Sequence, residues 1–512
     1  MSDELERLAN GVLWPGFYGT EAPGWLLDAL RGGLAGVVYF GQNVGEGLAA
    51  LSAQILTANP DALIGIDEEG GSVTRLESVS GSTLAGAAQL GLVDDLAATE
   101  ATGAELARRV RAIGGNVVLG PVADVNTDPR NPVIGVRSFG GDERLVSRHV
   151  VAEVEGLQRA GVAACVKHFP GHGDTHVDSH HALPEISLDI AEFDRVHLEP
   201  FRAAVAAGVD TIMTAHIVVP AWGSEPATLN PRILGMLREW GFEGVIITDA
   251  LDMAAIRETV GIGVGAARAL AAGADLLCIG NPTNPGREVH PDQDLRDYLS
   301  ARDGIVSALR DGSLPRARVE EAARRVASLA QTLRARAADA HDHTAPDEAP
   351  DAASGADSIV RRAVRGARGD AVELAVLDAR RRSSLAIDSA AAYVAVTLAG
   401  GGHVSRIDVA RTSVQEQDAA LDEVIAAEGL TVVLVDRPDA DDAQRSLVER
   451  AAERDRDAVV VNVGLPSQRP LVLPTVEVGA ASRVGAQAAR DRLRGAYARS
   501  AGSSPGDAEH DD

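Results

Sequence analysis

The chain has 512 residues, of which 45% are hydrophobic, 24% charged and 3% aromatic. That balance excludes wholesale disorder, and the length suits two or three domains whose cores rest on Val, Leu, Ile and Ala. With 48 Lys+Arg against 74 Asp+Glu the formal net charge is −26, a field that repels phosphates and argues against a general nucleic-acid or anionic-membrane binder.

The first residues, MSDELERLANGVLWPGF, carry acidic side chains where a signal peptide needs basic ones. No apolar stretch nears the roughly 18 residues of a membrane span, so a cytoplasmic protein is expected. From here to residue 336, short Val/Ile-rich runs alternate with helical patterns. Strands are predicted at 36–40, 62–67, 116–125, 162–168, 211–219, 244–249 and 275–280, with an eighth in the GVLWPGF segment. Helices are predicted at 45–57, 94–113, 145–160, 189–207, 231–240 and 263–272. Runs that are apolar throughout suit strands buried on both faces of a parallel sheet.

Either a (β/α)8 barrel or a doubly wound sheet fits this alternation, and the strand ends favour the barrel. Asp67, Asp124, Lys167–His168, His216 and Asp249 each close a strand at its C-terminal side. Barrel enzymes gather their chemistry around one mouth at those ends, whereas a doubly wound sheet concentrates it at one switch point. A (β/α)8 TIM-like barrel is therefore predicted over 1–336. An acidic linker follows at 337–357 (AADAHDHTAPDEAPDAASGAD), where apolar periodicity stops. A smaller α/β domain is predicted over 358–500, with strands at 371–377, 392–398, 431–436 and 457–463 and helices at 414–428 and 441–453. The polar tail, 501–512, is expected to be disordered.

Two cysteines, Cys165 and Cys278, sit in apolar runs and read as buried, reduced thiols. They are too few for a disulfide framework or a four-cysteine zinc site. Gly261, Gly263 and Gly265 resemble a dinucleotide loop, but a helical segment precedes them where a strand is needed.

The densest chemistry lies in KHFPGHGDTHVDSHH, residues 167–181. Pro170, Gly171 and Gly173 make this a loop leaving a strand. Three readings compete: a metal site, a proton-transfer site, and histidines that merely pin the loop. A compact His-x-His ligand pair on the strand is missing, and no metal or cofactor is assigned. Asp178 and His180 lie two apart, so on an extended loop they project to the same side. A carboxylate bonded to one ring nitrogen fixes the tautomer and leaves the other nitrogen to exchange protons. Proton transfer is the reading for His180 with Asp178; for His172, His176 and His181 taken singly it is loop pinning.

Such a dyad needs a partner. Asp249 ends the run GVIIT, where a carboxylate is costly to bury without purpose. Asp252 is the better placed helix cap. Asp67, in IDEEGG, is another strand-end carboxylate, and Gly70–Gly71 would let backbone approach a ligand. Arg75, Arg137 and Lys167 fall at or just beyond strand ends. Converging on one mouth, they suit a polyhydroxylated ligand.

Taken together, KHFPGHGDTHVDSHHALP, IDEEGG with Thr74-Arg75, IGVRSFGGD and IITDALDM resemble, in the same order, the motifs of the β-N-acetylglucosaminidase branch of glycoside hydrolase family 3. The resemblance covers residues 11–329. The region after the linker is similar, more weakly, to the family's C-terminal α/β sandwich domain. The resemblance implies that Asp249 is the nucleophile of a retaining glycosidase, that His180 is its acid/base and Asp178 that histidine's partner. It implies sugar-binding roles for Asp67, Arg75, Arg137, Lys167 and His168. The implied substrate is a small carbohydrate with a terminal β-linked N-acetylglucosamine, from cell-wall or chitin fragments. Some members of this branch use inorganic phosphate in place of water, so a phosphorylase is the second reading. No nucleic-acid or membrane partner is expected, and the chain is read as a monomer or homodimer. Two departures stand out: Ser72 replaces a basic residue after Gly70–Gly71, and Ala250 replaces a polar residue after Asp249. Both bear on the aglycone side.

Overall fold

The computed structural model of the chain describes residues 2–175, 183–284, 290–343, 352–381, 387 and 390–495. Eight strands run parallel: β1 (Leu13–Pro15), β2 (Gly36–Tyr39), β3 (Leu63–Ile66), β4 (Val117–Val118), β5 (Ala163–Phe169), β6 (Thr211–Thr214), β7 (Val245–Ile247) and β8 (Leu277–Gly280). Strands β2 to β7 form one sheet in chain order, and β1 pairs with β8. An Ile247–Leu276 bridge joins β7 to β8, and Ala35 N–H donates to the Asn10 carbonyl between β1 and β2 at 3.0 Å. The curled sheet thus comes round on itself, as the strand-end polar residues predicted.

The reason these strands read as continuous apolar runs is that both faces are buried. Trp14, Val38, Leu63, Cys165, Met213 and Ile247 pack in the lumen, which Val326, Leu329 and Leu333 of the long helix Arg316–His343 cover from below. Gly65 is obligatory here, because a Cβ would lie 2.3 Å from the Trp14 ring. The Trp14 indole N–H donates to the Leu63 carbonyl at 2.8 Å, so the largest lumen side chain is also satisfied. Both cysteines are buried and unbridged, and burial pushes the Cys165 thiol up to about 12.

Outer helices begin where a side chain can serve their free N–H groups. Asp95 caps Leu96–Ala112, Asp142 caps Glu143–Arg159, and Asn230 precedes Pro231–Glu239. Away from the mouth, the fully buried Asp275 accepts from Arg238 at 2.5 Å and from Arg318 at 2.6 Å, with Arg325 at 3.6 Å. That cluster fastens the last strands to the closing helix.

Several expectations change. Residues 189–207 split into Ile190–Val196 and Glu199–Ala206, with Pro200 opening the second helix. Within the expected linker, Arg316–His343 and Ala352–Ala363 are helical, and residues 344–351 lie outside the described ones. Ala, the strongest helix former, recurs through both segments and offsets the weaker Asp and His. The run at 392–398 is the helix Ala392–Ala399, not a strand. A short apolar run fits either element, and Ala-rich composition tips this one. The tail 501–512 lies outside the described residues.

The second unit holds β9 (Arg365–Gly366), β10 (Leu374–Asp378), β11 (Val404–Arg406), β12 (Leu430–Val435), β13 (Val459–Asn462) and β14 (Thr475–Glu477), ordered β9-β14-β13-β12-β10-β11. All pairs are parallel except β9 with β14. From β10 the chain goes to β11 on one side and then to β12 on the other, which makes the β10/β12 gap a topological switch point. The unit docks closely on the barrel. Ala481 N–H donates to the Ser72 hydroxyl at 2.8 Å and the Gln89 amide donates to the Val478 carbonyl at 2.9 Å. Gly71, at φ +53°, presses on Gly86 so that a Cβ would lie 2.4 Å from the Gly86 Cα. Ser72 therefore serves the domain contact.

Candidate active site

At the C-terminal ends of the barrel strands a cavity of about 820 Å³ opens. Asp67, Arg75, Arg137, Lys167, His168 and Asp249 all line it, so six of the expected residues meet in one place. Asp178 and His180, with His176 and His181, fall outside the described residues.

Two strands, one hairpin and the turn Gly135–Arg137 build the charged floor. Asp67 follows β3 directly, and the chain then folds into the hairpin Glu68–Gly70 with Val73–Thr74, which returns Arg75 toward Asp67. Lys167 points in from β5, and its Nζ donates to Asp67 Oδ1 at 2.8 Å and to Glu69 Oε1 at 2.6 Å. Glu69 also receives a bidentate fork from Arg137, at 2.9 and 2.7 Å. Arg75 reaches Asp67 only at 3.5 Å, and its buried Nε has no hydrogen-bond partner. A guanidinium held this loosely keeps donors for a ligand.

The ionisation of the floor follows from this packing. Burial alone would raise Asp67, but Lys167, Arg75 and Arg137 outweigh it and hold the carboxyl well below the usual range. Burial likewise opposes Glu69, yet Arg137 and Lys167 bring it down to about 2. Burial would lower Lys167, and Asp67 with Glu69 reverse the sign and keep it charged.

A second layer fixes the histidines. Asp124, fully buried after β4, accepts from His168 Nδ1 at 2.7 Å and from the His172 N–H at 2.6 Å. The bond at Nδ1 leaves His168 Nε2 as the ring's other polar atom. His172 also lines the cavity; burial pushes it down to about 4, so it is neutral near pH 7. Its Nδ1 lies 2.9 Å from the Thr175 hydroxyl. This histidine both pins the loop and lines the cavity.

Asp249 stands two residues beyond β7, half-buried, with Ala250 N–H donating to its Oδ1 at 2.8 Å. Its own N–H donates to Thr214 Oγ1 at 3.3 Å. Behind it His216, bonded to Thr228, lies 2.9 Å from the Ala250 carbonyl and steadies the turn. The expected cap at Asp252 is not formed. Helix Ala254–Arg257 starts after Met253 with no side-chain cap, and Asp252 accepts from Asn284 at 2.7 Å instead.

Glu69, Asp124 and Glu153 are the residues that the sequence reading left without a role. Asp124 had a signal in its strand-end position; Glu69 lies in the IDEEGG motif, but nothing local in the sequence ties it to Arg137 or Lys167. Glu153 lies buried on the inner face of helix Glu143–Arg159, where burial and the Glu69 charge push it up to about 8. Between its ordinary value near 4.5 and about 8, the folded chain keeps a proton that the unfolded chain has released. Stability therefore falls as pH rises through that window, by up to about 1.4 kcal/mol per pH unit. Glu153→Gln should flatten the slope, read as the difference in Tm between variant and parent at pH 5, 6.5 and 8. A difference that stays constant with pH would refute the assignment.

The parallel barrel, with its charged side chains gathered at the C-terminal strand ends, has the architecture of a barrel enzyme. Residues 25–329 match the Glycosyl hydrolase family 3 N terminal domain, and the chain belongs to that family. A beta-hexosaminidase of Stenotrophomonas maltophilia (strain R551-3) is 36% identical over 301 residues, 54% of this chain and 86% of that protein. Beta-hexosaminidase A of Pseudoalteromonas piscicida is 35% identical over 252 residues, and the match spans 44% of this chain but only 42% of that protein. Among solved structures, a glycoside hydrolase family 3 beta-N-acetylglucosaminidase from Paenibacillus sp. str. FPU-7 is similar over 96% of both chains, with a TM-score of 0.80 and 29% identity. Among the described residues no helix is long and apolar enough to cross a membrane.

Proposed function

We propose that the chain is a retaining β-N-acetylglucosaminidase acting on terminal, non-reducing β-linked N-acetylglucosamine of cell-wall or chitin fragments. The observation that carries this reading is the placing of the Asp249 carboxylate on the same cavity as the Asp67–Lys167–Glu69–Arg137 network. A nucleophile needs an ionised oxygen facing the anomeric carbon, and a sugar needs fixed donors and acceptors around its hydroxyls.

In this reading Asp249 attacks the anomeric carbon and forms a glycosyl-enzyme as the bond to the leaving oxygen breaks. His180, oriented by Asp178, protonates that oxygen and then takes a proton from the incoming water. Asp67, Arg75, Lys167, His168 and, through Glu69, Arg137 hold the sugar. The names of the similar Stenotrophomonas and Paenibacillus proteins support the choice of N-acetylglucosamine over glucose.

The test is turnover of an aryl β-N-acetylglucosaminide and an aryl β-glucoside, each with and without inorganic phosphate. The expected result is release of free N-acetylglucosamine at a rate that phosphate does not change. Formation of N-acetylglucosamine 1-phosphate would make the chain a phosphorylase, and preference for the glucoside would overturn the substrate assignment.

A further inference from the structure

Two amides on the wall of the candidate active site take no part in its charged floor. Asn281 follows β8 directly, Asn284 lies on the same loop, and both line the cavity together with Asp249. The Asn284 N–H donates to the Asn281 carbonyl at 2.9 Å and closes a turn between them. Tyr18 Oη donates to the Pro282 carbonyl, inside that turn, at 2.6 Å. The turn is also fastened to the loop that carries Asp249. Leu251 N–H donates to the Cys278 carbonyl at 2.9 Å, and Asp252 N–H to the Ile279 carbonyl at 3.1 Å. Asp252 Oδ1 then rests on Gly280, at φ +111°, so closely that a Cβ there would lie 1.8 Å from it.

Partners decide which way each amide is turned. Asn281 Oδ1 accepts from the Thr283 N–H at 3.1 Å, from Thr283 Oγ1 at 2.9 Å and from Gln42 Nε2 at 3.0 Å. A backbone N–H can only donate, so this oxygen cannot change places with the amide nitrogen. Asn284 Nδ2 donates to the Asp252 carboxylate at 2.7 Å, which fixes the second amide in the opposite sense. Among the described residues nothing meets Asn281 Nδ2 or Asn284 Oδ1, and both residues are half-buried. One turn thus offers the cavity a donor and an acceptor that are already oriented.

A donor and an acceptor on one turn suit a hydroxyl, which accepts and donates at a single atom. They suit the acetamido group less well, because a secondary amide is planar and trans, with its N–H and C=O pointing opposite ways. With the anomeric carbon at Asp249, one flank of the sugar ring is C2, which carries the acetamido group. The other is the ring oxygen and C5, which carries the hydroxymethyl arm. We propose that Asn281 and Asn284 bind the C6 hydroxyl of the terminal sugar. Asn281 Nδ2 donates to that oxygen, and the hydroxyl donates to Asn284 Oδ1. The inference rests on the glycosidase reading and deepens it by adding a specificity: sugars that lack the C6 hydroxyl, or carry a substituent on it, are poor substrates.

The experiment measures kcat/KM for an aryl β-N-acetylglucosaminide and for its 6-deoxy and 4-deoxy analogues, in the parent chain, Asn281→Asp and Asn284→Ala. Asn281→Asp keeps the oxygen that holds the turn and replaces only the donor. The parent is expected to disfavour the 6-deoxy sugar by about tenfold or more, because that sugar leaves both amides unpaired. In each variant this ratio should shrink towards one, while the 4-deoxy ratio stays at the parent's value. A parent 6-deoxy ratio near one, a ratio that neither substitution changes, or a shift in the 4-deoxy ratio instead overturns the proposal. Titration of N-acetylglucosamine and its 6-deoxy analogue against the same three chains repeats the comparison without turnover. Equal affinities in the parent overturn the amide assignment whether or not any glycoside is cleaved. Absence of cleavage beside a preference for the C6 hydroxyl that both substitutions erase would strike the glycosidase reading and support the amide site.

Discussion

Asp249→Ala is expected to lower turnover of an aryl β-N-acetylglucosaminide by about 10⁴-fold or more, with little change in Tm. The carboxylate is half-buried at a strand end and its Oδ1 accepts from the next residue's own N–H, so its loss leaves a small, wet gap and not a core cavity. Among the described residues its chemistry has no substitute nearby. Asp67 and Glu69, the other carboxylates of the cavity, are tied to Lys167 and Arg137, and both are held at low pKa, which makes them poor nucleophiles. An activated fluorosugar should accumulate on Asp249 as a covalent adduct, located by peptide mass analysis. An adduct on any other residue, or retention of more than a few per cent of activity in the alanine variant, would remove Asp249 from the nucleophile's role.

Lys167→Met is expected to damage both stability and catalysis. Among the described residues the ammonium is the one cation that bridges Asp67 and Glu69, at 2.8 and 2.6 Å, and it is almost wholly buried. Removing it leaves two carboxylates facing each other, with Arg137 committed to Glu69 and only the long 3.5 Å contact from Arg75 left to Asp67. Breaking a buried pair in this way costs about 3 kcal/mol, because the remaining charge stays desolvated. The sign of the pH dependence follows from the lowered carboxyls. Their contribution is present above the unfolded values near 4 and is lost as pH falls below them. The stability gap between parent and variant should therefore be widest at neutral pH and shrink below about pH 4.5. Activity should fall by about 100-fold, the equivalent of one charged hydrogen bond to a sugar hydroxyl plus the misplacing of Asp67. A variant whose Tm deficit is the same at pH 4 and pH 7 would show that the network is not ionised as described.

The barrel was legible because its strands are buried on both faces. Residues 63–66, 163–166 and 245–247 carry no polar side chain, and a parallel sheet writes that need directly into the chain. The polar residue that breaks each run is the one that looks into the mouth, so Asp67, Lys167, His168 and Asp249 were readable one strand at a time. What could not be read is cooperation across the chain. Glu69 acquires its meaning from Arg137 and Lys167, far away in sequence, and Asp124 from His168 on β5 and His172 just beyond it. Short apolar runs failed for the opposite reason. Residues 392–398 satisfy strand and helix alike until packing decides, and Asp252 resembled a cap until Asn284 claimed its carboxylate.

The seam where β1 meets β8 has a consequence for how the molecule is made. Leu13 pairs with Leu277, and Leu277 N–H donates to the Val12 carbonyl. The buried Asp275 beside that seam waits in turn for Arg318 and Arg325, which are translated later still. On the ribosome, then, β1 emerges long before β8, and its ladder with that strand waits until the other seven are synthesised. The ring can lock only when the helix that carries Arg325 has left the exit tunnel. Until that moment the nascent barrel is an open sheet with two sticky edges, and its long-range pairing makes closure the slow, aggregation-exposed event in its biogenesis.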